Sequence, residues 1–157
     1  MEGKDKLDVN WEARYSLALL KRHARLYRNL DTLLTIITLF AGTAVAVDLF
    51  STSSWLLGAM GVIVILATII QFVIKPGEKR VTLKHEIKKY LSFLERLPSL
   101  APIEAESGFW ALSKDDSDTI SGLHNVALHD TYLEIDGAIP PTALQLNTWN
   151  HFLKLAS

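Results

Sequence analysis

Two uncharged apolar runs set the plan of this 157-residue chain, one over positions 32–47 and one over 49–74, with Asp48 between them. A hydrocarbon core of about 30 Å takes about 20 helical residues. Trp55 to Ile74 supplies that length without a charge, opening on an interfacial Trp and closing against Lys75. The first run reaches an adequate length when it is extended back to Leu30 and on through Phe50, which leaves Asp31 and Asp48 near the two surfaces. Both runs are therefore predicted to be transmembrane helices. The polar turn between them, Asp48 to Ser54, is long enough only for an antiparallel hairpin.

Outside the runs the apolar residues recur at helical spacing. Residues 11–30 read as a helix leading into the first span, with Asn10 as its N-cap and Tyr15, Leu19, Leu26 and Leu30 along one face. Pro76-Gly77 breaks or bends the chain after the second span. From Thr82 to Leu97 a further amphipathic helix carries Leu83, Ile87, Tyr90, Leu91 and Leu94, and Pro98 stops it. Residues 98–113, with Pro102 and Gly108, read as a linker. Two or three short helices are expected beyond it: Ser117 to about Leu133 forms the first part, interrupted near Gly122, and Pro141 to Leu155 is the last. The organisation is thus a 1–30 N-terminal helix, a 31–75 hairpin, a 76–97 helix and a 98–157 helical region.

Charge adds an orientation. Residues 1–97 hold 14 Lys and Arg against 9 Asp and Glu, whereas residues 98–157 hold 2 against 8. Lys21, Arg22, Arg25 and Arg28 precede the first span, and Lys75, Lys79, Arg80, Lys84, Lys88 and Lys89 follow the second. The intervening turn has no Lys or Arg, so both chain ends are expected in the cytoplasm with Asp48 on the far side. Ala44-Val45-Ala46 has the small-residue look of a leader cleavage site. A long preceding hydrophilic region and an immediate second span argue against cleavage.

Composition excludes much chemistry. With no cysteine there are no disulfides, thiolate metal sites or cysteine nucleophiles. No Walker loop, dinucleotide fingerprint, G-x-S-x-G elbow or H-E-x-x-H motif is present. His124 and His129 are five apart and do not share a helical face. Asp115, Asp116 and Asp118 lack the glycine and glutamate spacing of a calcium loop. No enzyme, metal site or cofactor is expected.

The spans carry a different signal. Thr35, Thr38, Gly42 and Ala46 follow one another at three- or four-residue steps, while Gly58, Gly61 and Thr68 lie close to one face of the second span. Such small faces let membrane helices approach closely, where no hydrophobic force draws them together. They pack the hairpin against itself, or several copies present the first face to a central path with Asp48 as an acidic ring favouring cations. Asp31 then forms a second ring, or pairs with Arg28 one turn earlier. The basic collar either meets topology rules and lipid head groups, or brings Arg22, Arg25, Lys84 and Lys88 together as a site for an anionic nucleotide. Alternatively, the acidic C-terminal region docks on it.

Trp11-Glu12-x-Arg14-Tyr15, the basic stretch Lys21 to Arg28, two closely spaced spans, Ile139-Pro140-Pro141 and Leu146-Asn147-Thr148-Trp149-Asn150 together resemble the SLATT family over nearly the whole chain. That resemblance implies a bacterial two-transmembrane effector that disrupts the cell's own inner membrane during phage infection. A partner nucleotidyltransferase would make the controlling signal. The chain is therefore expected to be an all-α membrane protein, a homo-oligomeric and regulated ion-conducting pore serving antiviral defence. The competing readings are a non-conducting anchor or adaptor for a cytoplasmic partner, and a holin-like toxin.

Overall fold

The computed structural model describes residues 5–41, 43, 54–114, 116, 120–135 and 146–157. Every regular element among them is helical, and none is a strand. The helices are α1 (Lys6–Ala41), α2 (Ser54–Ile74), α3 (Pro76–Arg96), α4 (Pro102–Ser113), α5 (His124–Ile135) and α6 (Thr148–Ala156). Single 3₁₀ turns at Leu97–Ser99 and Ser121–Leu123 precede α4 and α5.

These elements fall into two compact units, Met1–Leu26 with Arg80–Ser157 and, separately, Tyr27–Lys79. Chain regions divided by sequence into a leading helix and two following segments thus make one body. The reason is visible in its contacts. Leu19 of α1 packs with Leu123 and Ala127, flanked by Tyr15, Ala18, Leu26 and Leu153. Trp11 stacks on Tyr15 and meets the edge of Tyr132. Each large side chain buried in this way contributes about 1.5–3 kcal/mol, so the cluster closes the unit across more than a hundred residues of sequence.

A second buried stripe runs through the same unit. Val9, Ala13, Leu17, Leu20 and His23 of α1 are buried, as are Leu83, Glu86, Tyr90 and Phe93 of α3, each set at three- and four-residue steps. Lys6 Nζ donates to the Pro98 carbonyl (3.3 Å). Tyr90, 1% exposed, donates from its hydroxyl to Asp116 Oδ2 at 2.5 Å, and burial with that carboxylate raises its pKa far above the ordinary tyrosine value. The apolar stripe read from sequence on α3 is thereby rotated. Leu91 is exposed and Phe93 takes its place, because Glu86 shares the buried face.

Three boundaries are corrected. The first helix begins at Lys6, so Asn10 is no N-cap; its Oδ1 accepts from Arg14 Nε one turn later (3.2 Å). The supposed linker over 98–113 is mostly α4, started by Pro102 in its first turn and by Glu104 Oε2 accepting the Ala101 N–H (3.1 Å). Gly108 belongs inside that helix: a Cβ there would stand 3.1 Å from Phe93 Cε2. The last helix starts at Thr148, where Asn147 caps it by accepting the Asn150 N–H (2.8 Å); Pro140 and Pro141 lie outside the described residues.

In the Tyr27–Lys79 unit, Leu34 and Ala67 are buried. Lys79 Nζ sits 5.5 Å over the Tyr27 ring. Helix α2 does not run straight into α3. Lys75 between them has φ of 48°, the left-handed region that a side chain disfavours. Pro76 opens α3 immediately afterwards, and Lys75 N–H still reaches the Gln71 carbonyl (3.1 Å). The chain therefore bends at Lys75, one residue before the predicted Pro-Gly break.

Candidate functional site

Among the described residues one helical stretch, Gly58–Ser99, is long and apolar enough to cross a membrane by length and composition, and its uncharged part is the α2 segment up to Ile74. Its surface separates it from a core helix. Trp55, Val62, Ile65, Ile69, Phe72 and Val73 are all exposed, Phe72 at 78%. Leu33, Ile36, Leu39 and Phe40 of α1 are exposed as well. Monomeric soluble proteins rarely show contiguous apolar surface on this scale.

The small residues of the two helices differ in their surroundings. Thr35 and Thr38 are partly buried, and the Thr38 hydroxyl donates back to the Leu34 and Thr35 carbonyls (3.0 Å each). Gly42, Ala46 and Asp48, the remainder of the predicted lining, lie outside the described residues. On α2 a Cβ at Gly58 or Gly61 would meet nothing within 4 Å among the described residues, so neither glycine packs against a described side chain. Thr68 is exposed and bonds to its own helix at Val64. Ala67 and the half-buried Met60, Val64, Gln71 and Ile74 occupy a different face, roughly a third of a turn from the glycines at 100° per residue.

At the charged end of these helices an open cleft of about 540 Å³ is bounded by Asp31, Thr68, Gln71, Phe72, Lys75 and Gly77. Asp31 points into this region, with both carboxylate oxygens 3.9 Å from where a Gly77 Cβ would stand. Arg28 turns to Asn29 Oδ1 (3.4 Å) instead of Asp31.

The basic collar is divided. Arg22 is taken by the C-terminal helices: its Nε donates to Asp130 Oδ2 (2.7 Å), its Nη2 to the same oxygen, and its Nη1 to the Lys154 carbonyl (3.0 Å). Lys154 Nζ lies 3.4 Å from Asp130 Oδ1, and Arg14 pairs with Glu134 (3.0 Å). The acidic region thus docks onto the basic helix within one molecule, as one of the sequence readings held. Arg22, one of the four residues named for an anion site, has the Asp130 carboxylate as its anion. Arg25 and Lys84 are exposed, and Lys88 belongs elsewhere.

Lys88 lines a surface groove of about 370 Å³ with His85, Lys89, Ser92 and Arg96 of α3 and Leu112 of α4. The grouping escaped the sequence reading, although its signal is present. Positions 85, 88, 89, 92 and 96 follow the i, i+3, i+4, i+7, i+11 steps of one helix face. Among the described residues no group of acidic or histidine side chains is placed to hold a metal ion. His124 is hydrogen-bonded through Nδ1 to the Tyr15 hydroxyl (2.7 Å). His129 lies beside Asp130, with burial the main influence lowering its pKa.

Compared with protein-family models, curated proteins and solved structures, the chain matches none of them.

Proposed function

We propose that this protein is a membrane effector whose two apolar helices cross a bacterial inner membrane as a hairpin and assemble, copy on copy, into a regulated ion-conducting pore. The open glycine face of α2 carries the reading. Gly58 and Gly61 lie on an apolar helix, are exposed, and a Cβ added at either would meet no described residue within 4 Å. In lipid such a face brings helices together through close backbone approach. A neighbouring copy supplies a helix of matching length and chemistry. Thr35, Thr38, Gly42 and Ala46 then line the path, and Asp48 forms an acidic ring at its outer mouth.

Parity supports the second span. Residues 5–26 and 80–157 hold one another through Arg14–Glu134, Tyr15–His124 and Arg22–Asp130. A single crossing between them would place these partners on opposite sides of the bilayer. Two crossings keep them together, and the Lys and Arg residues flanking both runs favour the cytoplasmic side for that unit. The resemblance to SLATT proteins supplies the setting, an antiphage system in which a partner nucleotidyltransferase makes a nucleotide-derived signal.

The test is dye leakage and mass measurement on the full chain in proteoliposomes and in detergent. Wild type should run as a defined oligomer and release small ions. Gly61→Leu should fold, since space is open at that position, yet lose the oligomer and the leakage together. A Gly61→Leu protein that leaks like wild type removes the glycine face from the assembly. A wild type that forms no oligomer and leaks nothing leaves the anchor or adaptor reading in its place.

A further inference from the structure

We propose that the groove between α3 and α4 binds a phosphate-bearing anion. Its walls carry Lys88, Lys89 and Arg96, three permanent cations, together with His85 and the Ser92 hydroxyl. Among the described residues no carboxylate lines the groove, and none forms an ion pair with Lys88, Lys89 or Arg96. That contrasts with Arg14 and Arg22 on α1, whose charges are matched by Glu134 and Asp130. Among the described residues, one basic surface is neutralised internally and this one is left open.

The donors are also arranged for a compact oxyanion. Arg96 Nε donates to the Ser92 carbonyl (3.3 Å), which steers the guanidinium along the helix face and leaves its terminal nitrogens to reach outward. A guanidinium presented in this way matches two oxygens of a phosphate at once. Lys88 and Lys89 both stand about two turns earlier and supply mobile point charges. Leu112 closes one side with an apolar wall, which limits water and strengthens charge attraction in the groove. A volume near 370 Å³ suits a di- or triphosphate group or a lipid phosphate, and is small for a folded polyanion.

Basic residues toward a helix C-terminus also complement the helix dipole, and that role needs no ligand. Calorimetric titration separates the two. The full chain in neutral detergent is titrated with inorganic triphosphate in one arm and with short-chain phosphatidylglycerol in the other. Binding of one equivalent per chain is expected in at least one arm; the arm identifies a soluble or a lipid source of the phosphate. Lys88→Ala/Arg96→Ala should weaken it by roughly tenfold or more per cation removed, the scale of charge-assisted hydrogen bonds. Its helical circular dichroism should stay at the wild-type level, and Lys88→Arg should retain binding. No heat in either arm overturns the proposal. So does an equal loss in Arg25→Ala/Lys84→Ala, which would make the attraction a property of the whole basic surface. Neither arm requires assembly or conductance, so failure here and failure of the pore reading are distinguishable.

Discussion

His23 Nε2 accepts the backbone N–H of Ile120 at 2.7 Å, across 97 positions of sequence. The other ring nitrogen bonds the Leu19 carbonyl at 2.8 Å, and since a carbonyl only accepts, Nδ1 carries the proton. The imidazole is therefore neutral and held in one tautomer while 1% exposed. Protonating Nε2 would set an N–H against the N–H of Ile120.

Stability should fall as the medium is acidified. Burial lowers the His23 pKa below its ordinary 6.5, the Leu19 carbonyl opposes this, and His124 adds to it. The unfolded chain takes up a proton near pH 6.5 that the folded chain refuses until a lower pH. Stability is then fully present above pH 6.5 and is lost at up to about 1.4 kcal/mol per pH unit per such histidine below it. Urea midpoints at pH 7.5 and 5.5 check the sign. A His23→Gln variant should be less stable at pH 7.5 and flatter between the two.

Arg22→Ala should loosen the C-terminal helices from α1. The ion pair is mostly shielded, with the two side chains 12% and 24% exposed, and removing Arg22 leaves both Asp130 and the Lys154 carbonyl short of a donor. A loss of about 1–3 kcal/mol is expected, discounted for residual solvent. Limited proteolysis of residues 120–157 should quicken. Arg22→Ala/Asp130→Ala should recover part of the loss, because the shielded carboxylate is then gone and the Lys154 ammonium that loses its anion is the more exposed partner.

Much of this was readable in advance, and the exceptions share a cause. The α2 span and the stop at Pro98 follow from an uncharged run and a missing N–H, signals that no tertiary contact overrides. His23 and Glu86 were invisible as core residues because burial of a polar group depends on partners far away in sequence. Helix α4 was mistaken for a linker on the strength of Pro102 and Gly108. Proline in a first turn followed by Glu104 is a start signal, and Gly108 is small because Phe93 lies against it. The open face around Gly58 and Gly61 is a fact about neighbours, which spacing alone does not give.

Glycines should separate by environment. Gly108→Ala places a methyl 3.1 Å from the ring of Phe93, a side chain only 3% exposed and unable to swing aside. A loss of about 1–3 kcal/mol is expected. Within one chain Gly58→Ala meets open space among the described residues and should leave folding neutral or gain about 0.5–1 kcal/mol, its cost falling instead on the proposed assembly. Thermal unfolding of both in the same detergent compares them directly.

Lys75→Gly should stabilise the bend by roughly 1 kcal/mol, because glycine adopts a φ of 48° without strain. The exposed Lys75–Glu78 pair given up in exchange is worth little. Lys75→Val should be worse than wild type, since a branched Cβ is least tolerant there. Denaturant midpoints of the three proteins give the order.

The pairing of Arg22 with Asp130 also sets an order of events during synthesis. Ribosomes add about 5–20 residues per second, so Arg22 waits on the order of 5–20 s for its acid to leave the exit tunnel. Both apolar runs emerge within that interval, ahead of any docking by the tail. Under the proposed membrane reading, insertion machinery receives the greasy segments before the N-terminal helix has a mate, and the body's closing comes last. A nascent chain halted before position 130 should already be membrane-borne while its leading helix remains open to protease.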